Sequence, residues 1–236
     1  EELLPVHECA LAYRTGKSIA DNAKIHAKNS YLLKMDFKDF FPSIHSRDLC
    51  KLLIIKGHLK VEDHAEIRAL SRIFFMYEQK NLILSVGAPS SPFISNALLF
   101  DFDANVDAYC KEHDLKYSRY SDDLTFSTNR KGTLHSVPDF IKKTLKTMVS
   151  PRLSVNDKKT VFSSKAHNRH VTGVTLTNDG NLSIGRNKKR SIRTQVYLFS
   201  SQKLTIEEAQ SLHGYISFAR SIEPSFYNAL IAKYPD

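Results

Sequence analysis

Short runs at strand spacing and longer runs at helical spacing alternate along this chain. Tyr31-Leu32-Leu33-Lys34-Met35-Asp36-Phe37 has the apolar density of a buried strand, yet carries an acid at its end. Lys116 to Ser127 contains two runs rich in aromatic and β-branched residues on either side of Ser121-Asp122. That pattern predicts an antiparallel hairpin with Asp122 and Asp123 at its tip. Leu82-Ile83-Leu84 reads as a short strand. Leu153–Phe162, Arg169–Leu176 and Asn181–Ile184 also alternate like strands, the last two joined by a turn at Asn178-Asp179-Gly180. Asp21 to His26 reads as a helix or an extended segment, and Ser46 as the N-cap of a helix through Ile55. Val61 to Gln79 carries a helical stripe of Ile67, Leu70, Ile73, Phe74 and Tyr77. Pro92 opens a helix whose buried face is Phe93, Ile94, Ala97, Leu98, Phe102 and Val106. A further helix over Leu134–Val149 is packed by Phe140, Ile141, Leu145 and Met148. Three more follow Lys188, with Tyr197, Phe199, Tyr215 and Phe218 expected in their core. Interleaved helices and hairpins predict an α+β fold with an antiparallel sheet backed by helices.

Charge adds an asymmetry to this picture. The 236 residues carry a net +9, of which residues 151–236 supply +7 and residues 1–150 only +2. A basic C-terminal third suits a nucleic-acid grip, although a merely soluble basic surface has the same composition. Cys9, Cys50 and Cys110 are too few and too scattered for a disulfide framework or a zinc knot, and fit a reducing cytoplasm. The ten histidines show no metal-ligand spacing, and Gly16-Lys17-Ser18 lacks the earlier glycine of a phosphate loop. No apolar run reaches the ~18 residues of a membrane span, and no signal-peptide pattern opens the sequence.

The chemistry concentrates on carboxylates. Adjacent like charges at a tight turn are costly unless a cation accompanies them, and an acid ending a buried strand needs a partner too. An exposed acidic turn is the plain reading of Asp122-Asp123 alone. With Asp36 on a neighbouring strand, the three acids suit two Mg2+ ions about 3.5–4 Å apart, with Mn2+ as a substitute. One ion would activate a 3′-hydroxyl and the other neutralise a triphosphate. Asp39 reads as a helix-entry or surface acid.

Asp36-Phe37-Lys38-Asp39-Phe40-Phe41-Pro42-Ser43-Ile44, then Gly87 to Asn96, then Tyr120-Ser121-Asp122-Asp123-Leu124 resemble the palm motifs of reverse transcriptases, in the family's order. The likeness runs from about Val6 to Ile184. Asn22-Ala23-Lys24-Ile25-His26 and Val171-Thr172-Gly173 resemble the two signatures of bacterial retron enzymes. The resemblance implies a right-hand polymerase fold. Residues 1–30 and 43–85 would be fingers, their first strands lying upstream, and 31–42 and 86–166 the palm. Residues 167–186 would form a primer-grip-like hairpin, and 187–236 a helical thumb.

The same resemblance implies roles for single residues. Asp36, Asp122 and Asp123, with the Phe37 carbonyl, would ligate metal. Phe41 would be the ring that excludes a 2′-hydroxyl, its alternative being a core aromatic. Gly87, Ala88 and Pro89 would lie under the template–nucleotide pair, where Val86 replaces a glutamine common in relatives and puts a polar contact in doubt. Lys159 would act near the pyrophosphate, against the alternative of a solvated Lys158–Lys159 pair. Arg186, Lys188, Lys189, Arg190 and Arg193, with Val171, Thr172 and Gly173, would hold nucleic acid. Asn22 and His26 would help hold a cognate RNA, or else bridge local backbone. The implied activity is RNA-directed DNA synthesis from dNTPs in the cytoplasm of a bacterium. A structured noncoding RNA would be copied into a branched RNA–DNA product, in antiphage defence with an effector partner. Group II intron-like enzymes, enzymes making untemplated DNA and an idle RNA-binding scaffold are the competing readings.

Overall fold

The computed structural model describes residues 4–234. In chain order, α1 (Ile19–Ala27) leads into β1 (Tyr31–Asp36), a 3-10 turn at Phe41–Ser43 and α2 (Ser46–Ile55). Next come α3 (His64–Phe74), β2 (Phe75–Glu78), β3 (Asn81–Leu84), α4 (Ser91–Leu98) and α5 (Phe100–Glu112). The hairpin β4 (Lys116–Tyr120) and β5 (Asp123–Thr128) precedes α6 (Val137–Thr147) and β6 (Val161–Ser164). Three short strands follow, β7 (Arg169–Val171), β8 (Val174–Leu176) and β9 (Leu182–Ser183). The helices α7 (Arg186–Ser200), α8 (Ile206–Ile222) and α9 (Pro224–Lys233) complete the chain.

The central sheet has the order β4-β5-β1-β6, with β1 antiparallel to both neighbours. Alternation along β1 divides the molecule. Leu33 and Met35 face a core completed by Leu124, Phe126 and Tyr117 and by residues of α4, α5 and α6 such as Ile94, Phe102 and Ile141. Leu32 faces a second core shared with Ala20, Ala23 and Ala27 of α1, with β7 and β8, and with the C-terminal helices through Ile192, Leu212 and Phe226. Lys34 and Asp36 share that second face, because side chains two residues apart on a strand point the same way. The carboxylate therefore emerges where apolar cover ends.

Several boundaries differ from the sequence reading, each for a local reason. The cap of α2 is His45, whose N–H is taken by the Asp48 carboxylate at 2.7 Å, so Ser46 is the first helical residue. The stripe over Val61–Gln79 is helical only to Phe74. Phe75–Glu78 pairs with β3 around Gln79 and Lys80, both with positive φ, so Tyr77 matched helical spacing by coincidence. The helix from Pro92 breaks at Leu99, giving α4 and α5. Thr133–Ser136 is a 3-10 turn ahead of α6. Within 153–162 only the end is strand. Ser154 and Asn156 are held by backbone bonds to Lys38 and Asp36, and Asp157–Lys159 coils into a 3-10 turn. Arg169–Leu176 is two strands, reversed at Thr172 and Gly173, which both have positive φ. Tyr197, Phe199 and Tyr215, expected in the core, are 57%, 54% and 44% exposed.

Candidate active site

Two strand ends and one turn build the site. Asp36 is the last residue of β1 and lies directly opposite Asp123, the first of β5, so both carboxylates project from one face. Asp122 occupies the hairpin tip, and its carbonyl accepts the Phe37 N–H at 3.1 Å, which ties the tip to the end of β1. Burial, then the Asp36 carboxylate, raises the pKa of Asp122. Burial, Asp122 and Asp36 in that order raise that of Asp123. Lys159, delivered by the 3-10 turn before β6, donates from Nζ to Asp36 Oδ2 at 3.0 Å, and that bond raises its own pKa. Acids from two segments and a lysine from a third thus share one edge of the sheet. Asp39 is an exposed surface residue with φ 45°, outside this cluster.

Beneath the tip lies a clamp absent from the sequence reading. Arg119, fully buried in β4, donates from Nε and Nη2 to Asp103 of α5, at 2.9 and 2.6 Å. Its Nη1 reaches Asn96 Oδ1 of α4 at 2.9 Å and the Ser121 carbonyl at 3.0 Å. Tyr117 Oη also donates to Asp103, at 2.8 Å. Ser121 holds φ 60°, a conformation that costs a non-glycine residue about 1 kcal/mol or more, and Arg119 grips its carbonyl. The available signal was an arginine on the core-facing side of a strand, which demands a buried acid.

The other expected residues separate into those facing solvent and those that do not. Phe41 is half-buried and packs at 5.2 Å on Phe40, which stacks on the core residue Phe37. Gly87 is exposed with φ +89°, a backbone shape that a side chain would strain, while Ala88 is half-buried and Pro89 exposed. Val86 is 72% exposed. Arg186, Lys188, Arg190 and Arg193 are exposed at the start of α7. Arg186 and Lys188 line a cavity of about 680 Å³ with His170 and Gly173. Lys188 also sits over the Phe218 ring, and Arg193 over that of Phe226. Lys189 is instead tied to Glu223, which also accepts from Ser183 and from the Ile184 N–H, so it fastens α7 to β9. Lys189 also lines the same cavity as Arg186 and Lys188.

Asn22 and His26 are corrected, because both are fully buried. His26 bonds Ser127 Oγ at 2.7 Å and Ser118 Oγ at 2.8 Å, and Ser118 donates to Asn22 Oδ1 at 2.5 Å. Asn22 also reaches Thr172 Oγ1 at 3.4 Å. The two signature strings therefore meet inside the protein, where they seat α1 on the sheet and the β7–β8 turn on α1. Burial depresses the His26 pKa to about 3. Val171 is buried too, and of that string Gly173 alone is exposed.

Residues 3–176 match the family model described as reverse transcriptase (RNA-dependent DNA polymerase). The chain is 46% identical to the Retron Ec83 reverse transcriptase of Escherichia coli, over 97% of its own length and 74% of the relative's. It is 33% identical to the Retron Ec73 reverse transcriptase of Escherichia coli, over 98% and 75%. Among solved structures, apo telomerase from Candida tropicalis superposes with a TM-score of 0.55 at 13% identity, over 96% of this chain and 47% of that one, a likeness of fold. With both the right-hand polymerase architecture and the palm motifs in place, the chain belongs to the reverse transcriptases, RNA-directed DNA polymerases, and within them to the retron type.

Proposed function

We propose that this polymerase copies part of one structured noncoding RNA into DNA, starting from a 2′-hydroxyl of that RNA and leaving a branched product. The observation that carries the reading is the grouping of Asp36, Asp122, Asp123 and Lys159 on one sheet edge, in a chain 46% identical to a retron enzyme over nearly its whole length. In this reading the central sheet is the palm, residues 1–30 and 43–85 belong to fingers, 167–186 to a primer grip and 187–236 to a thumb. The cell is bacterial and the compartment its cytoplasm, in keeping with three free, buried thiols. Among the described residues no helix is long and apolar enough to cross a membrane. The product serves antiphage defence with a separate effector protein.

The donor set suits Mg2+. All three side chains offer hard oxygens, and burial first, then their mutual repulsion, raises the pKa values of Asp122 and Asp123, a penalty on the charged forms that a divalent cation relieves. No three such side chains among the described residues form a ready cage. Mg2+ ordinarily takes one or two carboxylates together with waters and substrate phosphates. Two such ions, or Mn2+ in their place, would supply activation of the attacking hydroxyl and charge neutralisation of the triphosphate. Asp36, Asp122 and Asp123, with the Phe37 carbonyl, hold and orient them. Lys159 remains protonated beside Asp36 and supplies positive charge, or a proton, to the leaving pyrophosphate. Phe41 stands as the ring that rejects a ribose. Gly87, Ala88 and Pro89 let backbone approach the nascent pair, and Arg186, Lys188, Arg190 and Arg193 track phosphates.

The test is to co-express the gene with its flanking DNA, purify the protein and sequence the nucleic acid it carries, beside an Asp122→Asn/Asp123→Asn variant. A discrete DNA joined to one short RNA, absent from the variant, is expected. Heterogeneous DNA with no linked RNA would point to untemplated synthesis, and equal RNA without DNA to an idle scaffold.

A further inference from the structure

Away from the carboxylate edge, α2 and α6 face each other across two adjoining concavities of about 910 and 600 Å³, which share Lys146, Met148 and Arg152. Arg47 and Lys51 of α2 line the larger, and Lys142 of α6 the smaller. Each helix presents its cations four residues apart, so they recur on one face at ~6 Å along the axis. Of the three acids in the lining, Asp39 is exposed, and the other two are engaged. Asp48 accepts from the His45 N–H and from Ser150 Oγ, and Asp157 pairs with Lys142 at 2.7 Å. Arg47, Lys51, Lys146 and Arg152 are exposed and have no carboxylate within 4.0 Å among the described residues. Four cations without an ion-pair partner, against one exposed acid at Asp39, leave the concave surface net positive, and a bound polyanion offsets that excess.

We propose that this groove is a second RNA-binding surface, holding backbone phosphates of the RNA that the enzyme copies. The inference rests on the RNA-copying reading above and adds a surface to it. Repeated cations along two helices suit a repeating polyanion better than one compact triphosphate, which a single focus of charge would serve. The groove is anchored to the palm, since Ser154 in its lining accepts the Lys38 N–H at 2.8 Å, two residues from Asp36. RNA lying there would be held by the same rigid unit that carries the carboxylates, and so positioned relative to them.

The experiment uses the triple variant Lys51→Glu/Lys146→Glu/Arg152→Glu, whose changes are all at exposed positions. The control is Lys60→Glu/Lys131→Glu/Lys203→Glu, an equal change of charge outside the groove. Binding of a fluorescein-labelled RNA hairpin with single-stranded flanks is measured by anisotropy over a salt series, and the dNTP KM on a preformed primer–template is measured in parallel. The groove variant is expected to lose about tenfold or more in affinity, and its salt slope to fall by about 0.7–0.9 for each phosphate contact removed. The control should lose much less, and the dNTP KM should stay within about twofold in both. Equal losses in variant and control, or none in either, would overturn the proposal. A raised dNTP KM with intact RNA binding would do so too, assigning the groove to the nucleotide's triphosphate. Failure of the wild-type protein itself to bind or extend RNA would instead overturn the reading on which the proposal rests.

Discussion

Arg119 places its guanidinium three residues ahead of Asp122 and joins α4, α5 and the Ser121 carbonyl in one buried knot. Lysine in its place would keep the charge opposite Asp103 but lose the fork that reaches three acceptors. Arg119→Lys is therefore expected to lower kcat for primer extension by about ten- to a hundredfold at near-constant RNA affinity. Arg119→Ala, which strands the buried Asp103 carboxylate, should cost about 3–5 kcal/mol in denaturant unfolding. A Lys variant with wild-type kcat would show that the tip needs no such support. At Phe41 the expected change is in selectivity. Phe41→Ala should raise kcat/KM for ribonucleotides relative to deoxynucleotides by about tenfold or more, and an unchanged ratio would make Phe41 a packing residue only. Asp36 and the Asp122-Asp123 pair were legible because each puts charge where its surroundings argue against it. Arg119, on the core side of a strand, signals a buried acid, but nothing in a linear reading says that its partner is Asp103, 16 residues away on a helix.

Between elements, the contact of α1 with the sheet is polar where helix-on-sheet packing is usually apolar. Ala20, Ala23 and Ala27 bring the helix close, and Asn22, His26 and Asn29 bond to Ser118 and Ser127 below it. His26, held neutral with a pKa of about 3 against 6.5 when unfolded, makes stability depend on pH. The unfolded chain binds the extra proton, so this contribution is complete above about pH 6.5. It is lost as pH falls toward 3, by up to about 1.4 kcal/mol per unit. Urea midpoints between pH 7 and 4.5 should therefore drop with acid, and His26→Asn should flatten that dependence while lowering stability overall. An identical pH dependence in the two proteins would remove His26 as its source. Extension on a generic primer–template and binding of RNA should fall together in His26→Ala, as befits an interior residue. The element boundaries tell a related story. The β2–β3 hairpin turns on two non-glycine residues in positive φ, Gln79 and Lys80, which carry no strong turn signal in sequence, and β7–β8 turns on Thr172 beside Gly173.

Across the whole molecule, two hydrophobic cores lie on opposite faces of one sheet, and at one end of its central strands buried Asp36 meets the more exposed Asp122, Asp123 and Lys159. The α+β class and the helical C-terminal third followed from the alternation of periods, because periodicity reports which face is buried. The groove between α2 and α6 did not, since its cations are scattered from Arg47 to Arg152 and meet only when the chain is folded. At this scale removal of divalent cations should abolish nucleotide incorporation while RNA remains bound, as a gel shift beside an extension assay would show. The most direct measurement is extension of a DNA primer on an RNA template by the purified protein in Mg2+. Wild type is compared with Asp36→Asn and with Asp122→Asn/Asp123→Asn, and RNA binding is followed in the same samples. The account predicts templated DNA from the wild type and a loss of about a thousandfold or more in both variants, with RNA affinity retained. Comparable DNA synthesis by either variant would contradict it, because the chemistry would then lie outside the edge where Asp36 and Asp123 face each other.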